Sequence, residues 1–260
     1  MIIIKNWMGQ MGNQLFYYNN LVQIANKFNH DFKSPNFTNN DLFNLISPLE
    51  NTQHLVFDEI ISFKDLISDN LILEENKTYL LDVCLYELFF KFDNLSTFDI
   101  FNLKENTIDN SIKTAIHFRG TDFKIWDPNS QLKSSYYINS IDLILNENND
   151  NHYFTIHTDD TSLLSYNEVI SYLKNKNQNF ITNEANSNKA DFIQIANSDF
   201  VISSPSTFCI TASMCGKKNK KIIHNNEWIE YKINSDYFRD IFWKDLNNGG
   251  NKDYKIWKKV

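Results

Sequence analysis

The sequence predicts an α/β protein whose C-terminal half forms a doubly wound parallel sheet. From Thr114 onwards, short apolar runs alternate with amphipathic stretches of helical spacing, and the connections between them are short. This alternation is typical of βαβ units, in which the strands run parallel. The predicted strands are 114–119, 153–157, 179–182, 200–203 and 221–224, and the predicted helices are 135–146, 162–174, 189–197 and 206–215.

The beginning of the chain also shows a strand that leads into a helix. Residues 2–7 form a short apolar run, and a loop with Gly9 and Gly12 follows it. A helix is expected from near Asn13, because apolar residues then recur at steps of three and four. A glycine-rich turn before a helix can bind an anion with free N–H groups and the helix dipole. The spacing fits neither the dinucleotide fingerprint nor a P-loop, so a purely structural turn is an equal alternative.

Length and composition bound the domain organisation. A chain of 260 residues with 42% hydrophobic residues can bury the core of one large domain or of two smaller ones. We expect three segments, namely 1–110, 111–225 and 226–260. The first has irregular patterning after residue 31, with strands expected at 71–73 and 79–86. The last is rich in aromatic residues, and burial of those residues requires that it pack back across the domains.

Charge and cysteine content exclude several classes of function. The chain has 25 Lys and Arg against 32 Asp and Glu, and no basic run interleaves with aromatics, so no nucleic-acid partner is expected. Three scattered cysteines form neither a disulfide framework nor a zinc cage. The first apolar run is too short for a signal peptide, and no integral membrane segment is predicted. These features favour a soluble, cytoplasmic protein.

Polar residues follow three of the predicted strands. Because the C-terminal ends of parallel strands share one edge of a sheet, these residues are expected to line one crevice, where open α/β sheets bind ligands. Simple polar loops would rarely repeat in register three times. The three clusters are His117, Arg119 and Asp122, then Thr158, Asp159 and Asp160, then Ser203, Ser204, Ser206 and Thr207.

Arg119 stands out because the chain uses lysine nearly everywhere else and has only one other arginine, Arg239. The rigid guanidinium fork binds phosphate oxygens in a bidentate manner and stays charged when buried, which an ammonium group does not reproduce. The pattern therefore indicates an anion at this strand end. The alternative is an ordinary surface arginine.

Each cluster has a chemical role if the ligand is a nucleotide diphosphate sugar. Arg119, with the hydroxyls of Ser206 and Thr207 at a helix start, could hold the diphosphate. Asp159 could accept the paired N–H donors of guanine, and His117 could add a hydrogen bond near the base. Fixed donors can stabilise a leaving diphosphate without a metal.

Structural roles compete with these chemical ones. Asp159 and Asp160 could form a metal-binding pair or cap the helix that follows them. Ser206 is a good N-cap residue, and His117 could be a hydrogen-bonded core histidine. No nucleophile elbow and no Cys–His pairing support covalent hydrolysis.

Four segments, taken in order, resemble the α-1,2-fucosyltransferases of glycosyltransferase family 11. Residues 9–16, GQMGNQLF, are similar to the N-terminal motif G-x-x-G-N-Q-L-F, and residues 117–122, HFRGTD, resemble H-x-R-R-x-D. Residues 154–160, FTIHTDD, resemble the F-S-D-D segment, and residues 191–208 resemble a final block that ends in S-T-F. The second and fourth segments also resemble α-1,6- and protein-O-fucosyltransferases. Gly120 stands where most members have a second arginine, and Gln10 where many have one.

The resemblance implies a GT-B-like architecture, with two Rossmann-like domains that face a cleft. Segment 1–110 would be the acceptor-side domain and segment 111–225 the nucleotide-sugar domain. It implies an inverting transfer of fucose from GDP-fucose to a glycan hydroxyl, such as the 2-OH of galactose, with no cofactor and no metal. Another nucleotide-linked deoxysugar, or a catalytically silent glycan- or nucleotide-binding protein, are the alternatives, the latter because of Gly120.

The resemblance also implies roles for individual residues. It places Arg119 at the β-phosphate, and Asp122 or Asp127 could be the base that accepts the acceptor's proton. The residues placed at the reaction are Asn13, Arg119, Asp122 and Asp127, and those placed at the donor are Gly9, Gly12, Gln14, His117, Asp159, Asp160, Ser206, Thr207 and Phe208.

Overall fold

The chain divides into two compact units, one formed mainly by Met1–Lys104 and the other mainly by Glu105–Asn234. The structure is a computed structural model. It describes residues 1–7, 9–45, 50–62, 65–66, 70–82, 102–103, 112–121, 131–147, 151–183, 187–217, 220–224 and 255–256.

The first unit contains a parallel sheet and one long helix. Its elements are β1 (Ile2–Ile3), α1 (Met11–Phe28), β2 (Phe32–Lys33), a 3-10 turn (Asn40–Leu42), β3 (Phe43–Asn44), β4 (Glu59–Ile61), β5 (Tyr79–Leu81) and β6 (Asn102–Leu103). The four-stranded sheet has the order β2-β1-β5-β4, and all of its pairings are parallel. Strands β3 and β6 form a separate antiparallel pair.

Helix α1 begins two residues before the expected start and buries the predicted apolar face. Leu15, Tyr18 and Leu21 are each fully buried, because the three- and four-residue steps place them on one side of the helix. The helix ends at Asn29, which takes the left-handed conformation with φ of 54°. The N–H of Asn29 donates to the carbonyls of Ala25 and Asn26, which satisfies groups that the last turn leaves open.

The second unit is the predicted alternation of strands and helices. Its elements are β7 (Ile112–Phe118), α2 (Ser134–Glu147), β8 (His152–Thr158), α3 (Leu164–Asn175), β9 (Asn179–Thr182), α4 (Asn188–Ala196), β10 (Phe200–Ser203), α5 (Thr207–Met214), β11 (Lys221–His224) and β12 (Lys255–Ile256). They form a six-stranded sheet of order β12-β11-β10-β7-β8-β9, in which every pairing is parallel.

The central strands of this sheet are apolar because helices cover both of their faces. Ile116, Phe118 and Phe154 are fully buried in one cluster with residues of α2 and α3. Phe118 stacks on Tyr137 of α2 with ring centroids 4.1 Å apart. The hydroxyl of Tyr136 donates to the carbonyls of Ser203 and Ile223, so α2 also ties together the ends of β10 and β11.

Two strands expected in the first unit differ from the structure in different ways. The strand expected at 71–73 is wrong: these residues are irregular, and the side chain of Ile72 is 83% exposed. A short apolar run forms a strand only where a neighbour pairs with it, and local pattern does not supply that neighbour. The second expected strand is present at Tyr79–Leu81, and residues 83–86 lie outside the described part of the chain.

The aromatic C-terminal segment lies largely outside the described residues. Within it, Lys255–Ile256 are described, and they extend the sheet of the second unit by pairing with β11. The expectation that the remainder of 226–260 packs back across the domains stays a prediction.

Lys220 joins the C-terminal ends of two helices inside the second unit. Its side chain is fully buried, and its amine donates to the carbonyls of Ala196 at 2.6 Å and Cys215 at 2.8 Å. These carbonyls lie at the ends of α4 and α5, where helices leave acceptors unsatisfied and carry partial negative charge. Burial nonetheless disfavours the charged amine, and it lowers the pKa of Lys220 from 10.5 to about 7.

The lowered pKa predicts a specific pH dependence of stability. Between about pH 7 and pH 10.5 the unfolded chain binds more protons at Lys220 than the folded one, so this residue's contribution to stability rises with pH. We expect the free energy of unfolding of the wild type, relative to Lys220→Met, to increase from about pH 6.5 to about pH 9.5. Denaturant titrations of both proteins at several pH values measure this difference in the free energy of unfolding.

Comparison with Ile223→Val, a core variant that does not titrate, controls for general effects of pH. A difference between wild type and Lys220→Met that stays constant over this range would contradict the buried, lowered-pKa amine.

Candidate functional site

The C-terminal ends of β10, β7 and β8 lie side by side at one edge of the second sheet. β7 pairs with β8 from Ile112↔His152 to Phe118↔Thr158, and with β10 from Phe200↔Thr114 to Ile202↔Ile116. The described members of the three polar clusters lie in the last residues of these strands or directly after them. The convergence that the sequence predicts is therefore present, because adjacent parallel strands must end at the same edge.

Arg119 and Asp159 form an ion pair at this edge. Arg119 Nη1 lies 2.7 Å from Asp159 Oδ2, and the two side chains are 28% and 27% exposed. The same carboxylate accepts the backbone N–H of Gly120 at 2.7 Å and of Thr121 at 3.4 Å on Oδ1, and the hydroxyl of Thr121 at 2.9 Å on Oδ2. Asp159 thus binds three successive residues that follow β7.

Asp160 stabilises the turn that precedes α3. Its Oδ1 accepts the backbone N–H of Ser162 at 2.9 Å and the Ser162 hydroxyl at 2.6 Å. The N-cap of α3 is Leu163, with no side-chain cap. The alternative that the acidic pair caps this helix is therefore wrong, because the chain makes an Asx-type turn before the helix begins.

His117 is a buried, neutral residue of the central strand. Its side chain is 6% exposed, Nδ1 lies 2.6 Å from Ser204 Oγ, and its ring centroid lies 5.9 Å from that of Phe208. Burial lowers the pKa of His117 to about 3, and the charges of His157 and Arg119 add to this. At neutral pH the imidazole therefore has one donor and one acceptor nitrogen and carries no charge.

Ser206, Thr207 and Phe208 form the start of α5, just after β10. Ser206 is the N-cap residue, with an extended backbone, but its side chain makes no capping hydrogen bond. The predicted N-cap position is correct, while the capping bond expected for it is not formed. Backbone N–H groups and the positive end of the helix dipole meet at this start, and that combination favours an anion.

The glycine-rich loop of the first unit is built around Gly9 and Gln14. Gly9 has φ of +75°, which side chains rarely adopt, and a Cβ there would lie 2.1 Å from Asn13 Nδ2, so a substitution would strain the loop. The side-chain amide of Gln14 donates to the Gly9 carbonyl and accepts the N–H of Thr38, each at 2.9 Å. Gly12 is buried in the first turn of α1. Gln14 therefore holds the loop in shape.

Asp122 and Asp127, the two candidate bases, lie outside the described residues. Their roles remain predictions.

Sequence reasoning missed a buried polar network at the ends of β8 and β9. His157 Nδ1 lies 2.9 Å from Asp191 Oδ1, and its Nε2 lies 3.0 Å from Thr155 Oγ1. Asn183 Nδ2 lies 3.2 Å from His157 Nδ1 and also bonds Gln194 Oε1. The sequence signal is a histidine and an amide at the ends of neighbouring strands, but only the fold shows that they meet Asp191.

Two kinds of feature are absent from the described residues. No group of three or more His, Cys, Asp or Glu side chains could hold a metal ion in the described ranges. Among the described helices, none combines the length and apolar character that crossing a bilayer requires.

Comparison of folds relates the chain to fucosyltransferases of known structure. POFUT1 in complex with GDP-fucose aligns over 82% of this chain and 92% of its own, with a TM-score of 0.52 and 8% identity. The fucosyltransferase NodZ from Bradyrhizobium aligns over 86% of this chain and 94% of its own, with a TM-score of 0.50 and 13% identity. The chain has the fold of these enzymes.

This likeness confirms the predicted fold class, an α/β protein of GT-B type with parallel, Rossmann-like sheets. No protein-family model and no curated protein sequence matches the chain. At identities of 8% to 13% the likeness concerns the fold, and the chemistry must be argued from the site.

Substitution of Gly120 tests the packing at this edge of the sheet. A Cβ at position 120 would lie 2.6 Å from Asp160 Cβ and 3.0 Å from Leu163 Cδ1, so the loop reaches the acidic pair only without a side chain. We expect Gly120→Ala to reduce the free energy of unfolding by about 1–3 kcal/mol, as overpacking does. Chemical denaturation measures the change.

The exposed Thr161→Ala in the neighbouring turn is the control, with an expected change within about 0.5 kcal/mol. Equal stabilities of Gly120→Ala and wild type would show that the loop does not need this close approach.

Proposed function

We propose that this protein transfers fucose from GDP-fucose to a hydroxyl group of a glycan, with inversion and without a metal ion. The observation that carries the proposal is Arg119, at the end of the central strand of a parallel sheet. The ligand-binding edge of such sheets lies there. The fold likeness supports the choice of donor, because POFUT1 was solved in complex with GDP-fucose and NodZ was soaked with it.

The diphosphate would lie between Arg119 and the start of α5. A guanidinium fork matches the phosphate oxygens, and the helix start adds N–H donors with the hydroxyls of Ser206 and Thr207. Negative charge grows on the β-phosphate as the bond to the sugar breaks, so donors that are already in position lower the barrier. His117 and Phe208, whose ring centroids lie 5.9 Å apart, would contact the nucleotide as a neutral pair.

The transfer itself needs a base and an acceptor. The acceptor oxygen bonds to C1 of fucose on the face opposite the leaving group, while the bond from C1 to the β-phosphate oxygen breaks. The hydroxyl proton passes to a carboxylate, for which Asp122 and Asp127 are the candidates, and GDP leaves. The 2-OH of a galactose is the proposed acceptor group.

We assign the loop of the first unit to the sugar. The resemblance of residues 9–16 to the fucosyltransferase motif supports roles for Gly9, Gly12 and Asn13 towards the sugar, with Asn13 as the polar side chain. Gln14 would act through the shape of the loop, since its amide already bonds Gly9 and Thr38. Asp160 would support the donor through the turn that it forms with Ser162.

A second candidate is a catalytically silent protein that binds a nucleotide or a glycan. Gly120 favours the silent protein. The resembling fucosyltransferases often have a second arginine at this position, whereas glycine has no side chain that could bind the phosphates. A related nucleotide-linked deoxysugar as donor is the third possibility.

A donor panel separates these functions. Purified protein is incubated with GDP-fucose, GDP-mannose and other nucleotide sugars, with and without galactose-terminated oligosaccharides and with EDTA present. With the acceptor present, we expect release of GDP and a fucosylated product from GDP-fucose and from none of the other donors. Binding of GDP-fucose with no turnover would favour the silent protein, and turnover of another donor would change the sugar.

The proposed role of Arg119 predicts that its substitution slows the reaction. Lysine keeps the charge but loses the bidentate fork, so Arg119→Lys should lower kcat by about 100-fold or more, as loss of a fixed transition-state donor does. Steady-state kinetics with GDP-fucose measure it. Lys174→Arg, on the exposed face of α3, is the control for a Lys–Arg exchange in general. Near-normal kcat in Arg119→Lys would remove the phosphate role of the fork.

A further inference from the structure

The carboxylate of Asp159 is saturated by donors from its own chain. A carboxylate has two oxygens with about four acceptor positions. Oδ1 accepts the N–H of Gly120 and of Thr121, while Oδ2 accepts the hydroxyl of Thr121 and the guanidinium of Arg119. A purine edge with two N–H donors would have to displace these partners.

We propose that Asp159 is a positioning residue for Arg119, and that it does not read the guanine base. This inference rests on the proposed function, and it assigns Asp159 to the diphosphate half of the donor site. The resemblance to fucosyltransferases had placed this carboxylate near guanine, and the contacts above favour the different role.

The geometry of the pair suits positioning. An arginine side chain loses much rotamer freedom when it is held in one place, and that cost falls on ligand binding unless the protein holds the fork beforehand. Asp159 engages Nη1 of Arg119, whereas a guanidinium has five N–H donors arranged in a plane. One edge of the group can therefore hold the carboxylate while another edge faces the diphosphate.

Gly120 is the sequence feature that makes this arrangement possible. Its N–H donates to Asp159 Oδ1 at 2.7 Å, and a side chain at this position would collide with Asp160. The absence of a side chain at position 120 thus lets the loop approach the acidic pair, at the position where the resembling fucosyltransferases carry a second guanidinium. Asp159, at the end of the neighbouring strand, fixes the orientation of Arg119. A second arginine would also add positive charge at the phosphates, and Asp159 does not replace that charge.

Base reading and positioning of Arg119 predict different effects of Asp159 on the affinities for GDP and inosine diphosphate. Guanine presents N1–H and a 2-amino group to a carboxylate, and hypoxanthine lacks the amino group. A carboxylate that reads the base therefore contributes to the preference for GDP over inosine diphosphate. A carboxylate that positions Arg119 contributes equally to both nucleotides and acts only through the phosphates.

The experiment measures dissociation constants of GDP and inosine diphosphate by calorimetry for the wild type and for Asp159→Asn. The amide keeps an oxygen for the N–H of Gly120 but removes the charge that holds Arg119. We expect both nucleotides to bind about 10-fold more weakly or worse, with an unchanged ratio of the two constants. A ratio that falls towards one, with GDP weakened alone, would overturn the inference in favour of base reading.

Double-mutant analysis gives a readout that a merely structural role would not move. If Asp159 acts through Arg119, the losses in GDP affinity from Asp159→Asn and Arg119→Ala are not additive, and the double variant binds about as weakly as Arg119→Ala. Fully additive losses would overturn the inference.

Thr121→Val keeps the test open if Asp159→Asn folds poorly. It removes only the hydroxyl that donates to Oδ2, and we expect a smaller loss for both nucleotides at a constant ratio. A loss that is confined to GDP would again contradict positioning. Failure of the wild type to bind GDP would overturn the proposed function as well, whereas a changed nucleotide ratio would overturn the role of Asp159 alone.

Discussion

The parallel pairing of β7 with β8 on one side and with β10 on the other is the constraint on which the candidate site depends. The central strands are buried on both faces, so sliding one strand along its neighbour would move apolar residues out of the core at one end and draw polar strand-end residues into it. The register places His117 opposite His157 and Ile116 opposite Ile202. Residues that follow the three strands must then meet at one edge, although they are about forty to ninety positions apart in sequence.

The chemistry at this edge relies on few formal charges. Arg119 is the single guanidinium among the residues described there, and Asp159 partly offsets its charge while fixing its position. His117 is neutral because it is buried. The remaining positive character comes from oriented groups, namely the N–H groups at the start of α5 and the hydroxyls near it. Fixed dipoles stabilise an anion without reorganisation, and the proposed transfer relies on them at the leaving diphosphate.

The likeness in fold to POFUT1 and NodZ at 8% to 13% identity has a physical basis. Sheet and helix packing requires apolar side chains of suitable volume at the right period, and many sequences meet that requirement. Function requires particular groups at particular strand ends. The proposed function therefore rests on the groups of four short segments and not on the remainder of the chain.

The sequence by itself determined the second unit and the identity of its polar clusters. Period and turn chemistry are local, so strands such as Asn179–Thr182 and Phe200–Ser203 agree with their predicted bounds, and Arg119 could be singled out from composition alone. Only the tertiary structure decided what those groups touch. It shows Asp159 bound to residues 119–121, His157 bound to Asp191, and Lys220 buried between two helix ends. Such contacts join residues far apart in sequence, and a buried charge or carboxylate takes its role from the partners that desolvation forces it to find.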